Sequence, residues 1–223
     1  MPNQEHIIIV AGGSGKRIKG TIPKQFIEVN GKPLIVYTIE KFLSYNPEIN
    51  MCVVAHKDYL QHLNDLLKKY FPDKNIATTI GGDTRFNSVK NGLALIEEDF
   101  SVVGIHDAAR PMVSVDTIKR CFETAAQKGN AIPVVDVNES IRVIENNSNK
   151  AVNRSNYKVI QTPQCFNTTA IKKAFEQDYS SLFTDDASVL EKTGEKIILV
   201  DGNTENIKIT HDTDLILAQH LLK

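Results

Sequence analysis

Tryptophan is absent from this 223-residue chain, and cysteine and methionine occur only three times each. Cys52, Cys121 and Cys165 are odd in number, far apart, and form no C-x-x-C pair and no cluster with histidine. That spacing speaks against a disulfide framework and against a structural zinc site, so the three read as reduced packing residues. No apolar run approaches the roughly 20 residues that span a bilayer, and no cationic segment leads into an apolar stretch at the start. A membrane span and a signal peptide are therefore not expected, and a cytoplasmic protein is. An excess of charge is missing as well: 26 Lys and Arg face 27 Asp and Glu, a formal net charge of −1. Nonspecific nucleic-acid binding, which needs a basic domain, is not expected.

Two common nucleotide signatures are also lacking. No window supplies the P-loop pattern G-x-x-x-x-G-K-[ST]. The dinucleotide fingerprint is half present as Gly13-Ser14-Gly15, but Ile18 stands where its third glycine belongs. At the end of the second strand, Ala55-His56-Lys57 offers no carboxylate for a ribose, which sets aside a dinucleotide-dependent dehydrogenase.

What the chain does have is an apolar run, Ile7-Ile8-Ile9-Val10, that opens into Ala11-Gly12-Gly13-Ser14-Gly15-Lys16-Arg17, with Lys24 seven residues on. Glycines let the backbone approach an anion, and the Lys and Arg side chains neutralise it, so nucleotide phosphate is the first ligand class to consider. Pro23 interrupts any immediate helix, and the next helical period starts near Pro33, with Leu34, Tyr37, Ile39 and Phe42. The loop is expected to be long and wrapping. The alternative for this segment alone is an ordinary turn with solvated cations.

With 41% hydrophobic and 24% charged residues, the chain can bury a full core. It reads as one domain over 1–223. Strand-like runs at Ile7–Val10, Met51–Ala55, Ile76–Ile80, Val102–His106 and Ala131–Val135 are interleaved with helix-like segments at Pro33–Leu43, Tyr59–Tyr70, Asn87–Glu97 and Val115–Lys128. The alternation predicts an α/β fold with a mostly parallel twisted sheet flanked by helices, and places ligands at the carboxyl ends of its strands. The rhythm breaks at about 136–157, where two extended arms surround an Asn-rich turn. A β-hairpin projecting from the body is expected there, either pairing with a second subunit or folding back on its own domain.

Two further clusters fall at predicted strand ends. Gly81-Gly82-Asp83-Thr84-Arg85 with Ser88 offers backbone contacts, a carboxylate and a hydroxyl suited to a base or ribose; a plain turn with Ser88 as helix cap is the alternative. His106-Asp107-Ala108-Ala109-Arg110-Pro111 pairs a carboxylate with an arginine. Asp107 either holds a divalent cation or forms a salt bridge with Arg110. His106, without a second imidazole at ligand spacing, reads as structural.

Together with Pro23-Lys24-Gln25, Thr162-Pro163-Gln164, Thr184-Asp185-Asp186-Ala187-Ser188 and Asn206-Ile207-Lys208-Ile209-Thr210, these motifs resemble the 2-C-methyl-D-erythritol 4-phosphate cytidylyltransferase family, in order and over nearly the whole chain. The resemblance implies a Rossmann-like nucleotidyltransferase fold and transfer of the cytidylyl group of CTP to a sugar-alcohol phosphate, with Mg²⁺ as cofactor and a homodimer formed through the arm. It implies that Arg17, Lys24, Arg154 and Lys208 are catalytic. Ala11, Gly12, Gly13, Gly15, Gly82, Asp83 and Ser88 would bind nucleotide, and Asp107, Arg110, Ser140, Thr162 and Thr184 the acceptor, with Asp107 also at the metal. The arm departs from the usual Asp-Thr before a Lys, carrying Glu139-Ser140-Ile141-Arg142 instead. The related ribitol-5-phosphate cytidylyltransferases tend to carry Ser-Val where this chain has Ala108-Ala109, and to lack an arginine matching Arg154, so methylerythritol phosphate is the expected acceptor. A noncatalytic nucleotide-binding module is the third reading, and it has no use for Lys24, Arg154 or Lys208.

Overall fold

Residues 4–13, 22–97 and 101–222 are described by a computed structural model of the chain. In chain order it forms β1 (Glu5–Ala11), a short ribbon of β2 (Glu28–Val29) and β3 (Lys32–Pro33), α1 (Leu34–Tyr45), β4 (Asn50–Ala55), α2 (Leu60–Tyr70), β5 (Ile76–Ile80) and α3 (Arg85–Leu93). Then follow β6 (Val102–Asp107), α4 (Val115–Lys128), β7 (Asn130–Asp136), the hairpin β8 (Arg142–Glu145) and β9 (Ser148–Ala151), β10 (Lys158–Ile160) and β11 (Gln164–Asn167). The chain ends with α5 (Thr168–Ala174), α6 (Asp186–Glu191), β12 (Leu199–Asp201) and α7 (Asp212–Leu221).

The strands β5, β4, β1 and β6 lie side by side and parallel, as expected. Beyond β6 the sheet differs from the prediction. β11 runs antiparallel to β6 and β7, β10 continues it along the same edge of β7 after a two-residue shift in register, and β12 lies parallel on the other edge. The expected mostly parallel sheet thus carries one interrupted antiparallel strand.

Ile7 and Ile9 face the cluster formed with α1, α2 and α4, while Ile8 faces the cluster formed with α3, α5 and α6. All three are fully buried, which is why the run shows no alternation: a central parallel strand is covered on both faces. Gly104, in the middle of β6, is required by this packing, since a Cβ there would lie 2.9 Å from Phe122 Cζ and 3.0 Å from Ile7 Cδ1. Gly104→Ala is expected to lower stability by about 1–3 kcal/mol through overpacking. Urea unfolding checks this, with the midpoint falling and the slope unchanged.

The helix ends follow local chemistry. α4 starts where Ser114 Oγ accepts from Thr117 N and stops at Gly129, whose φ of 92° suits a residue without Cβ. α3 begins two residues earlier than expected and ends at Leu93. Its cap is Thr84, which accepts from Asn87 N, and not Ser88, which is buried within the first turn. The predicted hairpin forms, turning at Asn146 and Asn147 with φ of 47° and 61°, a backbone that asparagine tolerates. It pairs with itself as a separate ribbon, and Ile144 on it is 78% exposed. The three cysteines are free and buried, as expected. Among the described residues, no helix is long and apolar enough to cross a membrane.

Candidate active site

Strand order reverses between β1 and β6, and parallel strands leave a crevice at their carboxyl ends where this happens. Here that crevice is a cavity of about 690 Å³. One wall is the end of β1, with Ala11, Gly12 and Gly13; another is the β5–α3 loop, with Gly82, Asp83 and Ser88; a third is the end of β6, with Asp107. Lys24 and Lys208 enter it from separate segments. Nine of the residues expected from sequence therefore share one cavity. Gly15 and Arg17, with Ser14 and Lys16, lie outside the described residues.

The two glycine loops are held together by side chains. Gln25 is buried, and its Nε2 donates to Ala11 O at 2.5 Å and Gly13 O at 3.1 Å, which fixes the carbonyls of the first loop and orients its N–H groups. Ser88 Oγ accepts from Gly82 N at 3.1 Å and donates to Thr84 O at 2.9 Å. It lies so close to both loops that a Cβ on Gly12 would come within 3.2 Å of it and one on Gly81 within 2.8 Å. At Gly82 a Cβ would meet Asn87 Cβ at 2.4 Å, an overlap that moves the loop. Gly82→Ala is expected to raise the KM for the nucleotide on the order of tenfold, as for one misfitting methyl group in a ligand pocket. Steady-state kinetics with the second substrate saturating checks this.

Charge is concentrated at the end of β6. Lys208 Nζ lies 2.9 Å and Arg110 Nε 3.5 Å from Asp107 Oδ2, and Arg85 Nε 3.4 Å from Asp107 Oδ1. Burial opposes ionisation of Asp107, but Arg85 first, then Lys208 and Arg110, outweigh it and hold the carboxyl far below the usual carboxylate range. Both oxygens of Asp107 thus already face cations. A dication would compete with three fixed positive groups for them, so Asp107 does not fit the metal-ligand role expected from sequence. It fits that of a counter-ion that presents Lys208 to the cavity.

Lys24 and Lys208 are held by one stretch of chain. Lys24 Nζ donates to Ile209 O at 2.6 Å, and Ile209 N donates to Ala109 O at 2.8 Å, which ties residues 208–209 to the loop after β6. Arg110 strengthens the same tie from below by donating to Asn206 O at 2.7 Å. Thr162 lies beneath the floor: its Oγ1 accepts from Asp107 N and bonds His106 Nδ1. His106 is fully buried, and burial lowers its pKa to about 3, so it stays neutral, as its structural reading requires.

Three expected residues lie elsewhere. Ser140 and Arg154 are exposed at the base of the hairpin, where Arg154 Nη1 donates to Asn138 O. Thr184 is exposed just before α6. None of the three lines this chain's cavity. Conversely, Gln25, Arg85 and Asp186 organise the site and were not among the expected site residues, although all three lay within the quoted motifs. A single polar side chain carries no sign in sequence of the carbonyl or carboxylate it will meet.

The chain matches, over residues 5–223, the family model described as 2-C-methyl-D-erythritol 4-phosphate cytidylyltransferase. A protein of that name from Phocaeicola vulgatus is 43% identical over 217 residues, covering 97% of this chain and 99% of its own. Among solved structures, the one of that name from Francisella tularensis is 34% identical with a TM-score of 0.80, covering 98% and 99% of the two chains. The 4-diphosphocytidyl-2C-methyl-D-erythritol synthase from Anaerococcus prevotii is 28% identical with a TM-score of 0.85, covering 99% and 96%.

Proposed function

The chain belongs to the 2-C-methyl-D-erythritol 4-phosphate cytidylyltransferase family, and from that premise we propose that its cavity joins CTP to 2-C-methyl-D-erythritol 4-phosphate. A phosphate oxygen of the acceptor attacks the α-phosphorus of CTP, the bond from that phosphorus to the bridging oxygen breaks, and pyrophosphate leaves with the electron pair. The product is 4-diphosphocytidyl-2-C-methyl-D-erythritol, an intermediate of non-mevalonate isoprenoid synthesis. The carrying observation is the convergence of Lys24 and Lys208, anchored on adjacent residues, with two glycine loops in one cavity.

Phosphoryl-type transfer gains mainly from positioning and from preorganised positive charge. Lys24, with Arg17, is assigned to the charge that builds on the α-phosphate. Ala11, Gly12, Gly13 and Gly15 are assigned to the phosphates, and Gly82, Asp83 and Ser88 to cytosine and ribose. Lys208, Asp107 and Arg110 are assigned to the acceptor, with Thr162 holding Asp107. Because Asp107 is saturated with cations, a Mg²⁺ cofactor would be held by the substrate's phosphates and not by Asp107, and would there offset negative charge on them.

Arg154, Ser140 and Thr184 lie away from the chain's own cavity, and a homodimer through the hairpin is proposed, with Arg154 and Ser140 serving the cavity of the other subunit. The three buried thiols suit a reducing compartment, and the cytoplasm is the proposed location. Pyrophosphate release tests the reaction, with CTP, UTP, ATP and GTP crossed against methylerythritol phosphate and D-ribitol 5-phosphate. Turnover is expected only for CTP with methylerythritol phosphate. Turnover with ribitol phosphate would move the acceptor to the polyol branch, and silence in every pairing would favour a binding module.

A further inference from the structure

Arg85 is the first residue of α3, at the end of the loop assigned to cytosine and ribose; it lines the cavity, and its guanidinium pairs with two carboxylates. Nη1 and Nη2 reach Asp186 Oδ1 and Oδ2 at 2.8 and 2.7 Å, a bidentate pair, while Nε lies 3.4 Å from Asp107 Oδ1. Asp186, only 1% exposed, opens α6 and belongs to the segment that follows Thr184. The neighbouring residue reinforces the link, since Phe86 stacks on Phe175 at 4.6 Å and on Phe183 at 5.7 Å, on the chain leading to α6. The nucleotide-reading loop, the end of β6 and the start of α6 therefore meet in one side chain.

We propose that Arg85 is a positioning residue for the transfer reaction: anchored by Asp186, it fixes the Asp107 carboxylate, and through it Lys208, relative to the nucleotide-reading loop. The role rests on the reaction proposed above. An arginine is required because its planar fork binds one carboxylate with two nitrogens while the third addresses another, which a lysine ammonium does not do. The structure separates the two halves of the role. Asp186 anchors without touching Lys208, whereas the contact with Asp107 leads directly to it.

The test compares wild type, Arg85→Lys, Arg85→Gln and Asp186→Asn by kcat, by KM for each substrate and by thermal midpoint. Both Arg85 variants are expected to lose kcat on the order of 10²-fold, the effect of slight misplacement near reacting groups. Their KM for CTP should stay within about threefold, because the guanidinium is assigned no nucleotide contact. Asp186→Asn, which leaves Arg85 beside Asp107, is expected to lower the thermal midpoint yet keep kcat within about threefold of wild type. The role is overturned if Asp186→Asn loses kcat as fully as the Arg85 variants, since activity would then follow the anchor to α6 and not the contact with Asp107. It is also overturned if Arg85→Gln retains wild-type kcat, or if its loss appears in KM for CTP. Should Arg85→Gln fail to fold, Arg85→Lys, which keeps the charge, carries the comparison. A silent wild type removes the reaction itself, and this role with it.

Discussion

Lys24→Ala is expected to lower kcat on the order of 10²–10³-fold, the range for removing one preorganised donor from a developing charge. Lys24 lines the cavity and is braced by Ile209 O, so its ammonium is oriented before any substrate arrives and needs little rearrangement in the transition state. It is half-buried at the cavity edge and makes no part of the apolar core, so its removal should leave the thermal midpoint nearly unchanged. Nucleotide affinity should fall far less than kcat. Single-turnover kinetics with CTP binding measured separately checks the split; a loss confined to CTP affinity with kcat unchanged would assign Lys24 to ground-state binding.

Asp107→Asn is expected to act on stability and activity together. The carboxylate faces Lys208, Arg85 and Arg110, and replacing it with a neutral amide leaves three cations crowded without their common counter-ion. Removing one partner of a buried ionic cluster typically destabilises by about 3–5 kcal/mol, and the partial exposure of Lys208 and Arg85 places the expected loss near the lower end. With Lys208 no longer held at 2.9 Å, kcat should fall on the order of 10²-fold. The pH dependence carries a definite sign. Burial works against the charged form, but Arg85, Lys208 and Arg110 prevail, so the folded pKa lies below its ordinary value. A depressed carboxylate pKa adds stability that is present above the ordinary carboxylate range and is lost as pH falls through it. The stability difference between wild type and Asp107→Asn should therefore shrink on acidification. Urea titrations at a series of pH values check this, and a gap that widens toward acid would contradict the assignment.

How much of this was legible beforehand depended on how local each signal is. Ile7-Ile8-Ile9-Val10 announced a strand covered on both faces, and Asn146-Asn147 marked the hairpin turn, because hydrophobic runs and turn propensities act over a few residues. The antiparallel β11 was not visible. Its four residues, Gln164–Asn167, include a fully buried glutamine that binds Asp185 Oδ2 and Ala187 N, contacts set by chain more than 20 residues away. The helices α5, α6 and α7 went unpredicted for a related reason: α5 and α6 have seven and six residues, too few to show a helical period, and α7 leaves Ile216 and Leu217 exposed, which blurs its apolar face.

The site divided in the same way. Ala11-Gly12-Gly13 and Gly81-Gly82 were readable because glycine pairs at strand ends report close backbone approach, and Ser88 shows that approach at both loops. Asp107 was readable as a functional carboxylate and Arg110, three residues on, as a salt-bridge partner, but Arg85 and Lys208 were not, since they join it across 22 and 101 residues of sequence. That difference moved Asp107 from expected metal ligand to counter-ion.

The most direct test of the account is to identify the product when wild-type protein, Mg²⁺ and CTP meet equal concentrations of 2-C-methyl-D-erythritol 4-phosphate and D-ribitol 5-phosphate. Mass spectrometry with ³¹P NMR should find the cytidine diphosphate adduct of methylerythritol, one pyrophosphate for each adduct, and no ribitol adduct. A ribitol adduct as the main product, or CMP released with neither adduct formed, would contradict it.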